Sequence, residues 1–286
     1  MKPSIIADFQ CHNAECPIWH PQQQCLYWTD IPRGMMFRYW AKNGNAEQVY
    51  SGEVIGGLTL QTDGSLLLFK ERGKVESWYE GKVTTIISEI PEERNTRFND
   101  AIADPRGRAF SGTMATSKSP GRLYRIDVDG SLHLILEGLT IPNGMGFTPD
   151  LQYLYFTDSE ERTIYRFDYD IETGNISNQK VHIVTPKGEG VPDGLTVDTA
   201  GHIWSARWDG EHLYRYTPLG EEVLRIKLPA RKVTSMVFGG FDYSQLYITT
   251  AGGYNRSQEG YGAGSVFQLP ANVRGVPEFR SRIGIV

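Results

Sequence analysis

The sequence predicts an all-β fold: a six-bladed β-propeller with four antiparallel strands per blade, a single propeller domain over residues 1–286. Three observations predict it. Short β-rich runs separated by Gly, Asp, Asn and Pro turns fill the chain, with little sustained helical periodicity. One apolar-aromatic strand recurs six times. A hairpin follows each recurrence.

The recurring strand occupies residues 25–30, 65–71, 108–114, 153–159, 202–208 and 245–251. Its markers are Trp28, Leu68, Phe110, Tyr155, Trp204 and Tyr247, which lie 40, 42, 45, 49 and 43 residues apart. A period of about 40–45 residues with four strands per unit is the signature of propeller blades. A sandwich or barrel of unequal strands predicts no such period. Three of the hairpins share an aromatic-Arg pair: Tyr124-Arg125, Tyr165-Arg166 and Tyr214-Arg215. A leftover strand near the start, roughly residues 4–9, is expected to pair with the outer edge of the last blade, which removes a free sheet edge.

Composition narrows the function classes. Hydrophobic residues make up 40% and charged residues 22% of the 286, and the net charge is −5. The cations are dispersed with no basic stripe, so nucleic acid is not expected as a partner. No apolar stretch approaches the ~18 residues of a membrane span, so no membrane association is expected. The apolar run at residues 5–7 is too short for a secretion signal, and a cytoplasmic protein is expected. The three cysteines, Cys11, Cys16 and Cys25, are odd in number and clustered, which reads as reduced thiols and not as a disulfide framework. Their spacing matches no zinc motif.

The first strand of each blade lines the central channel, so residues at one repeat phase converge at one mouth. Aligning the repeats backwards from their turns places Glu15, Gly57, Asn99, Asn143, Asp193 and Ser235 there. Two carboxylates and two amides form a set of hard oxygen donors, which suits Ca2+ or Mg2+ and is tolerated by Mn2+. Gly57 and Ser235 leave that side of the mouth open. Asn143-Gly144 and Asp193-Gly194 are also ordinary turn dipeptides, as Asp63-Gly64 and Asp129-Gly130 are read to be. The shared phase is what favours a metal site. Arg97 is placed to reach over the mouth toward a hydroxyl-rich or anionic substrate; its competing role is a surface pair with Glu92 or Glu93.

With these segments in view, the chain resembles the gluconolactonase/regucalcin (senescence marker protein)/luciferin-regenerating enzyme family. The likeness is carried by Glu15-Cys16-Pro17, Arg97-Phe98-Asn99-Asp100, Ser111-Gly112-Thr113-Met114, Pro142-Asn143-Gly144, Thr157-Asp158-Ser159, Pro192-Asp193-Gly194 and Phe238-Gly239-Gly240, in order and at the repeat phase. The resemblance implies a six-bladed hydrolase of sugar lactones. It implies Glu15, Asn143 and Asp193 as metal ligands, Asn99 at the metal or its water and Arg97 on the substrate. Three departures stand out. Cys16 replaces the family's usual Gly and could draw softer ions if its thiol faces the metal. Residues 115–121 are short and lack an acidic substrate-binding residue that some relatives carry. The Gly- and Tyr-rich segment 252–264 has no assigned role.

The expected reaction is metal-assisted opening of an aldonolactone, with Asp193 both holding the metal and acting as base, and Asp100 as a second candidate base. One divalent ion is expected, Ca2+ first, with Zn2+, Mn2+, Mg2+ and Fe2+ behind it. The partner is a small sugar lactone, and the protein is a monomer or weak homo-oligomer. The chain has no G-x-S-x-G elbow, and its six histidines are read at turns or outer strands, so covalent catalysis finds no support. The rivals are an esterase or organophosphate hydrolase on the same site, and a non-enzymatic calcium-binding or scaffold propeller.

Overall fold

Burial follows a gradient along every blade. The first strands are buried on both faces: Ala14–His20, Ile55–Leu60, Phe98–Ala103, Pro142–Phe147, Val191–Val197 and Lys232–Gly239. The last strands, such as Lys82–Ile87 and Glu222–Lys227, lie largely in solvent. This gradient explains why the recurring second strands read as apolar runs, since they too are packed on both faces. The computed structural model describes residues 2–285. It forms six four-stranded antiparallel sheets around a channel, with three short 3₁₀ turns as the helical content of the described residues.

The blades hold together through six apolar clusters, one between each pair of neighbours. Ile18, Tyr27 and Trp78 bridge blades 1 and 2, and Trp19, Trp28 and Tyr247 bridge blades 6 and 1. Each cluster takes its residues from the facing sides of two blades, so no blade can bury its apolar surface alone.

The last blade differs in detail from the expected hairpin. A hairpin is expected after its second strand, yet of residues 265–279 only Ser265–Pro270 is a strand. The N-terminal strand, Ser4–Asp8, pairs with that strand from Ser4 opposite Gln268 to Asp8 opposite Ser265, as expected, and so fills the outer edge. The following residues have no edge left to pair with. They cross the lower end of the channel instead, where the inner strands finish. The Val276 N–H donates to Val197 O (3.2 Å), the Ser281 N–H to Leu60 O (2.9 Å) and the Arg282 N–H to Gly107 O (2.8 Å).

The segment 252–264 also gains a role. Glu259 accepts from Arg231 (2.8 Å) and Lys232 (2.7 Å), and Arg256 pairs with Asp8 (2.7 Å). The segment thus ties the seam where the ring closes.

Candidate active site

All six inner strands carry an irregularity at the upper mouth. The register slips between Glu15 and Ile18, Ile55 and Gly57, Phe98 and Asp100, Pro142 and Met145, Pro192 and Leu195, and Val233 and Ser235. A bulge re-aims the side chain beside it. Of the six residues at this phase, Glu15, Asn99, Asn143 and Asp193 reach one cavity at the mouth, while Ser235 lines the layer below.

Asn143-Gly144 and Asp193-Gly194 are therefore not turns; both sit inside strands. Their glycines serve close approach. A Cβ on Gly144 would stand 2.1 Å from Leu195 N, in the next blade. Asp63-Gly64 and Asp129-Gly130 do lie in turns, with Gly64 and Gly130 at φ +87° and +85°.

A cavity of about 300 Å³ opens at this mouth, lined by Asn13, Glu15, Arg97, Asn99, Met114, Ile141, Asn143, Ser159, Glu160, Val191, Asp193 and Trp208. All five residues chosen from the sequence line it. Asp100 does not; it lies one layer deeper, in a cavity of about 40 Å³ with Cys16, Ser235 and Glu278. Among the described residues, no histidine lines the upper cavity. His20 corrects its expected place: it ends the inner strand of blade 1, at the far end from Glu15, and is buried.

The hydrogen bonds sort the roles. Asn143 Nδ2 donates to Asp193 Oδ1 (2.5 Å) and to Ser159 Oγ (3.1 Å). Its amide nitrogen is thus fully engaged, and its oxygen is left without a partner among the described residues. Glu15 Oε2 accepts from the Cys16 N–H (2.9 Å). Asn99 differs. Its oxygen accepts from Arg97 Nη1 (2.7 Å) and its Nδ2 donates to Pro142 O (2.9 Å), so it joins Arg97 to the strand that carries Asn143. Arg97 makes no pair with Glu92 or Glu93. Glu93 is taken by Arg122 (2.9 Å) and Tyr124 (2.7 Å). Beyond Asn99 Oδ1 and Phe98 O, Arg97 has no acceptor among the described residues.

The electrostatics show a deficit of positive charge. Glu15 is pushed well above the usual carboxylate range, first by burial and then by Asp193 and Asp100. Asp193 is pushed up by burial and by Asp100, against the Asn143 hydrogen bond. Burial raises Asp100 to about 7 and lowers Arg97. Buried carboxylates in this state are what a bound dication neutralises. The donor set fits one: two carboxylates and an amide oxygen with no other partner. Among the described residues no three His, Cys, Asp or Glu side chains gather into a metal cluster, so any site here depends on the amide.

Cys16 sits at φ +51°, a left-handed conformation that favours glycine. Its Sγ donates to Gly56 O (3.1 Å). Burial first, then Asp100 and Glu15, hold the thiol well above its usual range. All three cysteines are buried and free.

Sequence reasoning missed Ser159 and Trp208 as site residues. Ser159 stood in a quoted motif without a role. Trp208 ends a recurring strand, and counting the register would have found it, because Trp208 pairs with Val191, two residues before Asp193.

A family model described as SMP-30/Gluconolactonase/LRE-like region matches residues 13–252. Pentonolactonase XacC of Haloferax volcanii is 45% identical over 292 residues, covering 99% of each chain. Regucalcin of Gallus gallus is 33% identical over 292 residues, covering 98% of each. The crystal structure of a calcium-binding protein, regucalcin, from Agrobacterium tumefaciens superposes with a TM-score of 0.91 at 24% identity, over 99% of this chain and 98% of that one, a likeness of fold. With the expected motifs at the expected mouth and relatives matched end to end, the chain belongs to the SMP-30/gluconolactonase/LRE-like family.

Proposed function

We propose that this protein is a metal-dependent hydrolase that opens sugar lactones to aldonic acids, with pentonolactones first among the substrates. Its class is that of a lactonase, a carboxylic-ester hydrolase, by kinship with the pentonolactonase and gluconolactonase relatives. One observation carries the finer reading. Two buried carboxylates, Glu15 and Asp193, and the unpartnered amide oxygen of Asn143 stand beside the unsatisfied donors of Arg97, in a cavity of about 300 Å³. That volume is at the small end of ligand sites, about 300–1,000 Å³.

In this reading Glu15, Asn143 and Asp193 hold a divalent ion, calcium first because every donor is a hard oxygen. Bound there, the ion supplies Lewis acidity to the lactone carbonyl and to the charge that develops on its oxygen. The protein's own groups do the rest. Asp193, with Oδ1 held by Asn143, takes a proton from the attacking water. The acyl carbon gains the water oxygen, its bond to the ring oxygen breaks, and that oxygen leaves with the proton Asp193 took, which restores the carboxylate. Asp100 remains the second candidate base, one layer below. Arg97 grips substrate hydroxyls, and Asn99 fixes the guanidinium's direction. A lactone is an activated ester, so no covalent nucleophile is required.

The test is a pH-drop assay of the purified chain against a panel of aldonolactones, with a phosphotriester alongside, before and after exhaustive chelation. Lactone turnover that vanishes on chelation and returns with added metal is expected. Asp193→Asn and Glu15→Gln are each expected to lower kcat/KM by about 10²–10³, the usual scale for a lost charge-stabilising group. Activity that survives chelation, or that survives both substitutions, sinks the mechanism. Faster turnover of the phosphotriester would favour the rival hydrolase, and metal binding without any turnover the scaffold.

A further inference from the structure

The wall of the reaction cavity carries both polar and apolar groups. Glu15, Asp193, Arg97, Asn99, Ser159 and Glu160 are among the polar ones, and Met114, Ile141, Val191 and the half-buried Trp208 are the apolar ones. Trp208 is the one aromatic residue on the wall among the described residues; two observations fix its backbone and a third places a partner on its ring. Its backbone is in ladder register with Val191, two residues before Asp193. Glycines pack against that backbone so closely that a Cβ on Gly190 would meet Trp208 O at 2.3 Å. The Lys232 ammonium stands over the indole, 5.1 Å from its centroid, and is fixed by Glu259 at 2.7 Å.

A sugar lactone presents both kinds of surface. Its hydroxyls need donors and acceptors, while the C–H face of its ring is apolar. A rigid aromatic plane takes up such a face with little ordering cost, because its orientation is already set. We propose that Trp208 is the stacking platform for the substrate's ring, and that it selects polyhydroxylated lactone rings by holding their C–H face while the hydroxyls meet the polar groups of the cavity. The proposal deepens the lactonase reading and rests on it for the identity of the substrate, but not for the binding of a sugar-like ring. It assigns Trp208 to substrate binding and not to chemistry, so its loss acts on KM.

The experiment uses the full chain as wild type, Trp208→Ala and Trp208→Phe. Each is assayed with a pentono-1,4-lactone and titrated with the corresponding pentonolactam, a ring the enzyme cannot open in the same way, while tryptophan fluorescence is followed. Trp208→Ala is expected to raise KM by about tenfold or more, a factor equal to about 1.4 kcal/mol, with kcat changed less than about threefold. Trp208→Phe keeps an aromatic face and is expected to recover most of that loss. The wild-type fluorescence is expected to shift on adding lactam, and the shift to vanish in Trp208→Phe. Thermal melts confirm that both variants fold. A folded Trp208→Ala with unchanged KM overturns the proposal, as does a fluorescence shift that persists in Trp208→Phe. A wild-type protein that opens no lactone, yet whose fluorescence reports the lactam through Trp208, removes the lactonase reading and keeps the platform.

Discussion

Replacing Gly144 with alanine tests how the site is assembled, because the added methyl has one neighbour it cannot avoid. The Cβ would stand 2.1 Å from Leu195 N, 2.6 Å from Gly194 C and 2.8 Å from Gly194 Cα. All three are backbone atoms of the inner strand of blade 5, so no side chain can swing aside. Gly144 is not among the residues with positive φ, so alanine's own backbone preference adds nothing. The strands must part by about 1 Å or more to reach van der Waals contact. That movement separates Asn143 from Asp193, which share the 2.5 Å hydrogen bond on which the proposed ligand set rests. Overpacking of this kind costs about 1–3 kcal/mol, and each kcal/mol lowers Tm by about 2–4 °C in a chain of this general size. A misplacement of about 1 Å in a reacting constellation costs about 100-fold in rate. The expected result is a folded protein, several degrees less stable, with kcat/KM on its best lactone down by about two orders of magnitude. Gly130→Ala is the control. Gly130 has φ +85° in an open turn with nothing within 4 Å, so it should lose about 1 kcal/mol and no activity. A Gly144→Ala protein with wild-type kcat/KM would refute the claim that the two strands jointly shape the site.

Three further outcomes are expected. All three thiols are buried, and burial raises Cys11 and Cys25 to about 12, so a thiol reagent at pH 8 should label none in the native protein and three after denaturation. Glu278 is raised from 4.5 to about 7 by burial and by Asp100. Between those values the unfolded chain has released a proton that the folded chain keeps, so stability falls as pH rises from about 4.5 to 7; in chelator, Glu278→Gln should flatten the fall of Tm across that window, and an unchanged slope would contradict the assignment. Cys16→Ser should leave the order of metals that restore activity unchanged, measured by adding Ca2+, Mg2+, Mn2+ and Zn2+ back to the chelated protein.

The blade architecture was legible because a propeller repeats its own physics: each unit needs an apolar second strand and a turn at nearly fixed spacing. The ring closure was legible too, since Ser4–Asp8 had an obvious edge to fill. The crossing of the channel by residues 271–285 was not, because it follows from that edge being already occupied, a fact about two distant segments. Asn99 shows the same limit within the site. Its phase put it at the mouth, but its engagement by Arg97 and Pro142 O depends on a guanidinium from just before its own strand and a carbonyl from the next blade. Trp208 was hidden differently: it ends a recurring strand that holds a second tryptophan, and only the pairing register separates it from Trp204, which is buried between blades 5 and 6.

Cys16 decides how hard the proposed metal site is. A thiolate beside Glu15 would favour softer ions such as Zn2+. The structure works against a thiolate there in two ways. The Sγ donates to Gly56 O at 3.1 Å, which requires the proton to stay on sulfur. Burial and the nearby carboxylates raise the thiol further, so ionising it would add a third negative charge to a place already short of positive charge. The left-handed backbone that Cys16 tolerates at φ +51° is therefore offset by a tie to blade 2 and by packing in the cluster between blades 1 and 2, not by metal ligation. With the sulfur committed to a carbonyl, the proposed donors are the oxygens of Glu15, Asn143 and Asp193. An all-oxygen set of low charge holds Ca2+, Mg2+ and Mn2+ in an order set by cavity size and rigidity, with no thiolate to favour Zn2+.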